Sequence, residues 1–368
     1  MINTEFGFRD KVRALDYLLL FSALSLSSIG FLCLYEVGGQ RSLLVQIVAT
    51  GIGLTAALLL SFIDYERYCG KRAWILFGVS VALLALTLFI GTGEGNRSWI
   101  DLGFTTLQPS EFVKVLFLIT LASHINAVKD NINDIKNVLP LLLHGGIIIG
   151  LVLLEGDLGS ALVFLFVYAV MLYVGGLSLW YFLGGLAAVV AASPFLWKML
   201  GDYQQKRILV GFHPELDPLD KGWQQIQSKK AIAAGGLNGV GMGNTKLAPS
   251  VPKVQNDMIF SAIGELFGFF GILVFLALMT LLICRLLRLS RKARKDTGSY
   301  LCAGAAAIFV AQTVENVGMC LGKMPVIGIT LPLVSSGGSS VLSLYLALGA
   351  ALSVGTHRRK YYFEREET

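Results

Sequence analysis

An aspartate and a glutamate stand at the start of an apolar run in "NDMIFSAIGELFGFFG", residues 256–271. Asp257 lies at the lip of a membrane-length helix and Glu265 about two turns inside it, where an ionised group is costly. A carboxylate at a water interface can act as a general base on a hydroxyl or hold a divalent cation. It can equally cap a helix N-terminus, whose dipole favours negative charge.

Further charged and polar groups interrupt apolar segments elsewhere. In "WIDLGFTTLQPSEFVKVLF" (99–117), Pro109 opens a helix with Ser110 beside it as a cap, and Glu111 and Lys114 follow at i, i+3 on one face. That spacing serves a structural ion pair or a wet cavity equally. Arg97 precedes the same helix, where a guanidinium can fork onto phosphate. "LLEGDLGSALVF" (153–164) places Glu155 and Asp157 between two apolar stretches, in a polar turn or as a cap on the next helix. "GWQQIQSKKAIAAGGLNGVGMGN" (222–244) carries Gln227, Lys229 and Lys230 on an amphipathic segment followed by a glycine hinge. Its spacing matches neither GxGxxG nor GxxxxGK, and no strand precedes it, so it is not a nucleotide loop. Glu315 and Asn316, with Ser335 and Ser339 of "GITLPLVSSGGSS" (328–340), put polar groups and Gly/Pro breaks near one membrane face, where close helix packing also uses small residues.

The elements that must position these groups are membrane helices. Of 368 residues, 55% are hydrophobic and 15% charged. Soluble domains carry nearer a quarter charged residues, so the composition describes a polytopic membrane protein. At roughly 20 apolar residues per crossing, about ten spans are expected. They fall near 15–36, 42–63, 73–92, 110–127, 138–155, 157–175, 178–198, 258–284, 299–322 and 338–356. The first run is long enough to span and shows no cleavage site, so it is expected to remain as an anchor.

Basic clusters at Arg9, Lys11 and Arg13, at Arg67, Lys71 and Arg72, at Lys129 and Lys136, in "CRLLRLSRKARKD" (284–296) and in "HRRK" from 357 all fall on one side if both termini are cytoplasmic. The formal charge of +6 is therefore largely topological, with no nucleic-acid partner implied. A long outer loop, about 199–256 between spans seven and eight, is also basic. It suits an anionic partner such as a lipid phosphate, or is simply solvated. Cys33, Cys69, Cys284, Cys302 and Cys320 form no CxxC pair and read as small apolar residues, with no disulfide or metal site. The whole is expected to be all-α: one polytopic helix bundle, residues 1–368 forming a single domain.

Taken in order, "QPSEFVK", "DLGSALV", "GWQQIQSKKAIAAGGLNGVGMGN", "NDMIFSAIGE", "NVGM" and "LPLVSSGGSS" resemble the SEDS family (shape, elongation, division and sporulation), which includes FtsW-, RodA- and SpoVE-type proteins. The resemblance implies a peptidoglycan glycosyltransferase in the bacterial cytoplasmic membrane that polymerises lipid II at the outer face and releases undecaprenyl pyrophosphate. It implies Asp257 as the catalytic residue, acting as base or through a divalent cation, Mg or Mn, with no organic cofactor. Arg97, Glu111, Lys114, Asp157, Gln227, Lys229, Lys230, Ser335 and Ser339 become expected substrate-binding residues. A separate class B penicillin-binding protein is the expected partner.

The chain departs from the family's usual pattern in several places. "VPKVQND" stands for LPE-x-HTD, "EGDLG" for QPDLG, "GEL" for GEE and "SSGGSS" for SYGGSS, while Arg97 sits one place early. Two alternatives remain from the residues alone. A lipid II flippase would use the buried acids as a polar path, and a non-catalytic scaffold for a transpeptidase would not need Asp257.

Overall fold

The computed structural model describes residues 8–93, 97–101, 103, 106–199, 201–219 and 222–357; Arg358, Arg359 and Lys360 of the terminal basic cluster lie outside them. The described chain is almost entirely helical. A short α1 (Phe8–Arg13) leads into α2 (Tyr17–Val37) and α3 (Gly39–Phe62), then α4 (Ala73–Ile90), α5 (Pro109–Val128), α6 (Ile135–Leu154) and α7 (Leu158–Val174). These are followed by α8 (Leu179–Met199), α9 (Asp202–Phe212), α10 (Trp223–Ala234), α11 (Ile259–Arg291), α12 (Asp296–Cys320) and α13 (Gly338–Thr356). Eight of the helical segments are long and apolar enough to cross a membrane, and Leu158–Val174 and Leu179–Phe195 are shorter apolar helices. Their positions follow the spans expected from hydropathy. The stretch expected as a long outer loop, about 199–256, carries α9 and α10.

α5, α12 and α13 are buried along most of their length, whereas the other long spans show the greater part of their surface to the outside. Lipid offers no hydrophobic drive between helices, so close packing of small residues holds such a core. Gly349 of α13 shows how tight the contact is: a methyl group there would lie 2.6 Å from the Cα of Ala57 on α3.

The basic segments gather at one end of the bundle, tied by ion pairs between distant segments. The Arg285 guanidinium donates to both carboxylate oxygens of Asp16, at 2.7–3.0 Å. Lys129 meets Asp296 at 2.7 Å, and Arg294 and Lys295 both hold Glu66. By the positive-inside rule this end is cytoplasmic. The sites of interest lie at the other end.

At that outer end α11 is broken. Gly268 adopts φ 64°, ψ −161°, a conformation closed to ordinary side chains in a helix, and a Cβ there would lie 2.3 Å from the backbone nitrogen of Gly239. The groups freed by the break pair with the glycine-rich run. Phe269 and Phe270 donate to the carbonyls of Gly236 and Leu237, while Val240 and Gly241 donate to those of Glu265 and Leu266. The glycine run expected to be a hinge is therefore docked on the broken helix, because backbone at membrane depth must find partners within the protein. A short antiparallel hairpin, β1 (Ile100–Asp101) with β2 (Thr106–Leu107), precedes α5 and was not foreseen from hydropathy. All five cysteines are free, Cys284 exposed and the others buried.

Candidate functional site

Asp257 ends a tight turn centred on Lys253. That lysine sits at φ 53°, and its carbonyl accepts the N–H groups of Asn256 (3.0 Å), Asp257 (3.1 Å) and Met258 (3.4 Å). A non-glycine residue in the left-handed region costs about 1 kcal/mol or more, so the surrounding structure must enforce it. The enforcement is visible on both flanks. The Asn316 side-chain amide of α12 donates to the carbonyls of Asp257 (2.8 Å) and Ile329 (2.7 Å). Asn256 donates through its side chain to the Ser336 carbonyl at 2.7 Å, Ser336 N–H donates to the Gln255 carbonyl at 2.8 Å, and the Ser335 hydroxyl donates to the Asn256 carbonyl.

The helix cap that competes for Asp257 is not made. The residue preceding α11 is Met258, and no side chain caps that helix. Among the described residues the Asp257 carboxylate has no hydrogen-bond or ion-pair partner, although its backbone is held on both sides. It lines a cavity of about 200 Å³ together with Trp99, Gln108, Glu111, Ser160, Thr330 and Ser339. Burial pushes its carboxyl up to about 6, with the Lys253 charge pulling against that shift and Asp157 adding to it. Near neutral pH the group is ionised but basic enough to take a proton.

Glu111 and Lys114 do pair, at 2.7 Å, and both are buried. Glu111 also accepts from the Ser343 hydroxyl at 3.0 Å, and Glu315 lies within electrostatic reach of Lys114 and Asp157. Asp157 does cap α7, accepting from Ser160 N–H (2.9 Å) and the Ser160 hydroxyl (2.7 Å). It also accepts from the Gln108 side chain at 2.7 Å, which ties the cap to the cavity wall. Ser339 lines the cavity and accepts from Gln108 N–H at 3.3 Å, whereas Ser335 works behind it as a brace for the Asp257 turn.

The remaining expected residues stand elsewhere. Arg97 is exposed, and its N–H donates to the Glu155 carbonyl at 2.7 Å; neighbouring Trp99 is the one on the cavity wall. Gln227 is buried on α10, with Lys229 and Lys230 exposed beside it, and none of the three lines the cavity. Ser110 does not cap α5. Gln108 holds the cap position, no side chain caps that helix, and the Ser110 hydroxyl is buried without a partner.

Glu265 has a role that its place in the apolar run did not reveal. Its carboxylate accepts the N–H groups of Lys246 and Leu247, both at 2.9 Å, and of Ala248. Three donors on one buried carboxylate satisfy its hydrogen-bonding capacity. The bond runs from α11 back to the segment that leads into Asp257, closing a loop around the turn. Glu36, at the end of α2, holds the same strand of chain through Gly243 N–H (2.9 Å) and the Thr245 hydroxyl (3.2 Å).

The donor set limits what metal this site can take. Among the described residues no three His, Cys, Asp or Glu side chains converge on a point. Glu111 is already engaged, leaving Asp257 as the available carboxylate. One carboxylate does not make a protein cage for a divalent cation, which would have to draw most of its ligands from elsewhere.

A family model of cell cycle proteins, covering FtsW, RodA and SpoVE, matches residues 12–360. The chain is 34% identical over 356 residues to a probable peptidoglycan glycosyltransferase FtsW of Trichlorobacter lovleyi, covering 92% of each chain. It is 33% identical over 365 residues to the peptidoglycan glycosyltransferase MrdB of Escherichia coli K12, covering 96% of each. Among solved structures, it superimposes with a TM-score of 0.81 and 34% identity on a chain from a peptidoglycan synthase complex that coordinates polymerization and crosslinking, covering 93% of this chain and 97% of that one. With the match extending through nearly all the spans and the ordered motifs, the chain belongs to the FtsW/RodA/SpoVE family, the SEDS proteins.

Proposed function

We propose that this chain is a peptidoglycan glycosyltransferase, a multi-pass protein of the bacterial cytoplasmic membrane that polymerises lipid II at the outer face. The observation that carries the reading is the free carboxylate of Asp257, on a braced backbone, in the wall of a cavity at the outer end of the bundle. The reacting sugars are in water while their lipid tails are in the bilayer, which is why the acid stands at the lip.

In this reaction a sugar hydroxyl of the acceptor attacks the anomeric carbon of the donor. Asp257 takes the hydroxyl proton, the bond from the anomeric carbon to the diphosphate oxygen breaks, and undecaprenyl pyrophosphate leaves with inversion at carbon. Glu111 lines the cavity beside Asp257, with Lys114, which does not reach the cavity wall, paired to it, and Gln108 and Ser339 offer hydrogen bonds to the sugars. A Mg²⁺ or Mn²⁺ ion, held by Asp257 and the substrate phosphates, would neutralise charge on the leaving diphosphate. Lys229 and Lys230, outside the cavity on α10, are available to the lipid phosphates at the membrane surface. The likeness to a chain of a peptidoglycan synthase complex supports a transpeptidase partner, a class B penicillin-binding protein.

The test is polymerisation of labelled lipid II by the purified chain, alone and with a class B partner, in the presence of Mg²⁺ or Mn²⁺. Glycan strands resolved by size support the reading. Their absence under all these conditions, with transbilayer movement of lipid II by the same preparation, would replace it with the flippase.

A further inference from the structure

A second cavity, with a mostly apolar wall and a few polar groups, lies at the cytoplasmic end, away from Asp257. It has a volume of about 220 Å³, several times the roughly 30 Å³ share of one water. Gly70 and Lys71 line it from the short turn before α4, Ala73 and Trp74 from the start of α4, Thr120, Ser123 and His124 from α5, and His144 from α6. No carboxylate lines it. From this geometry we infer that the cavity is an anion site for a phosphate group, with an anionic phospholipid headgroup of the inner leaflet as its occupant.

The two histidines define the chemistry. Thr120 donates its hydroxyl to the Phe117 carbonyl (3.2 Å), so at its own oxygen it accepts the N–H of His144 Nε2 (3.1 Å). His144 Nδ1 is then an acceptor, and the N–H of His124 Nδ1 donates to it at 3.1 Å. The chain of donors runs one way, from His124 to His144 to Thr120 to Phe117. It leaves His124 Nε2 without a partner among the described residues, on a side chain 8% exposed that lines the cavity. A proton taken up there with an incoming anion turns Nε2 into a donor, and the rest of the relay stays as it is.

The other walls match that need. In the short turn before α4 the Gly70 N–H donates to the Ser123 hydroxyl at 3.2 Å, while no side chain caps the start of α4 itself, so the positive end of that helix is open. Lys71 is the one charged residue lining the cavity, and its charge is of the attracting sign. The same features argue against a metal ion, which would meet a cation and no carboxylate. Trp74 is more than half exposed, and its ring centroid lies 5.2 Å from that of His124. An indole at this level sits among headgroups and adds its face to an imidazolium. Basic clusters beside membrane spans on the cytoplasmic side recognise anionic lipids in this way.

The experiment is native mass spectrometry of the full chain released from nanodiscs of phosphatidylcholine with increasing phosphatidylglycerol, for wild type, Lys71→Gln, His124→Gln and Lys136→Gln. A parallel arm measures thermal stabilisation of each protein in detergent by inorganic phosphate. Lys71 is exposed, so its variant reports on the site even if His124→Gln fails to fold, and Lys136 is an exposed cytoplasmic lysine that does not line the cavity. The expected result is a retained phosphatidylglycerol in wild type and Lys136→Gln, bound about tenfold more weakly in the Lys71 and His124 variants. Stabilisation by phosphate that those two variants lose, without lipid retention, keeps the anion site and makes free phosphate its occupant. Equal lipid retention and equal phosphate response in all four proteins would overturn it.

Discussion

The side-chain amide of Asn316 and the backbone carbonyl of Asp257 meet at 2.8 Å across 59 residues of sequence. This bond fixes the acid's main chain from α12 while its carboxylate remains free. The same amide donates to Ile329 at 2.7 Å, so one side chain ties together the two segments that wall the cavity. Replacing it by alanine leaves two carbonyls short of a donor, at roughly 1–3 kcal/mol each. It also lets the base drift, and a displacement near 1 Å can cost about 100-fold in rate. Asn316→Ala is expected to lower kcat for lipid II polymerisation by about 10- to 100-fold with a smaller change in KM. Asn316→Asp, which has no N–H to offer, is expected to do worse; kinetics on the purified variants check both.

Glu265 makes a sharper pair of variants. Glutamine keeps one acceptor oxygen in place, whereas alanine strands three backbone N–H groups. Glu265→Ala is expected to lose several kcal/mol and much of its folded yield, and Glu265→Gln about 1–3 kcal/mol, the usual worth of a charge-assisted bond. Thermal unfolding in detergent measures the order. If both variants melt with wild type, the clamp is not holding the loop.

Among the described residues both carboxylate oxygens of Glu155 are buried and unpaired, and burial, with the Asp157 charge adding to it, pushes its carboxyl up to about 8. A carboxyl whose folded value lies above its unfolded one favours folding at low pH, and that contribution is lost as pH rises through the folded value. Wild-type stability is therefore expected to fall as pH rises from about 4.5, the ordinary carboxyl value, to about 8, and to level off above that. Glu155→Gln, which cannot ionise, is expected to remove most of that fall. Melting temperatures of both proteins across this range decide it.

The sequence made the bundle legible because membrane spans and their orientation are written locally, in apolar runs and in Lys/Arg bias. The Glu111–Lys114 pair was legible for the same reason: a three-residue spacing on a helix puts two side chains together whatever the fold. Asp257 stood out through its position, yet sequence alone left base and helix cap open, and only the backbone shows Met258 preceding the helix. The bracing of that residue depends on Asn316, Ser335 and Ser336, far along the chain, and no periodicity encodes such pairings. The glycine run misled for a physical reason. Glycines that permit a hinge also permit close backbone approach, and here they complete a broken helix. Arg97, Lys229 and Lys230 are cations of the right type outside the cavity, because charge says nothing about which wall a side chain reaches.

The central claim is that the Asp257 carboxylate is the base of the polymerase. It is tested most directly by lipid II polymerisation with wild type and Asp257→Asn, each with its transpeptidase partner, followed from pH 5 to pH 8. Asparagine keeps the shape and cannot take the proton. The account predicts wild-type kcat/KM rising with pH through about 6 to a plateau, as the carboxyl ionises, and no strands from an equally folded Asp257→Asn at any pH. Strands of equal yield from the variant would contradict it.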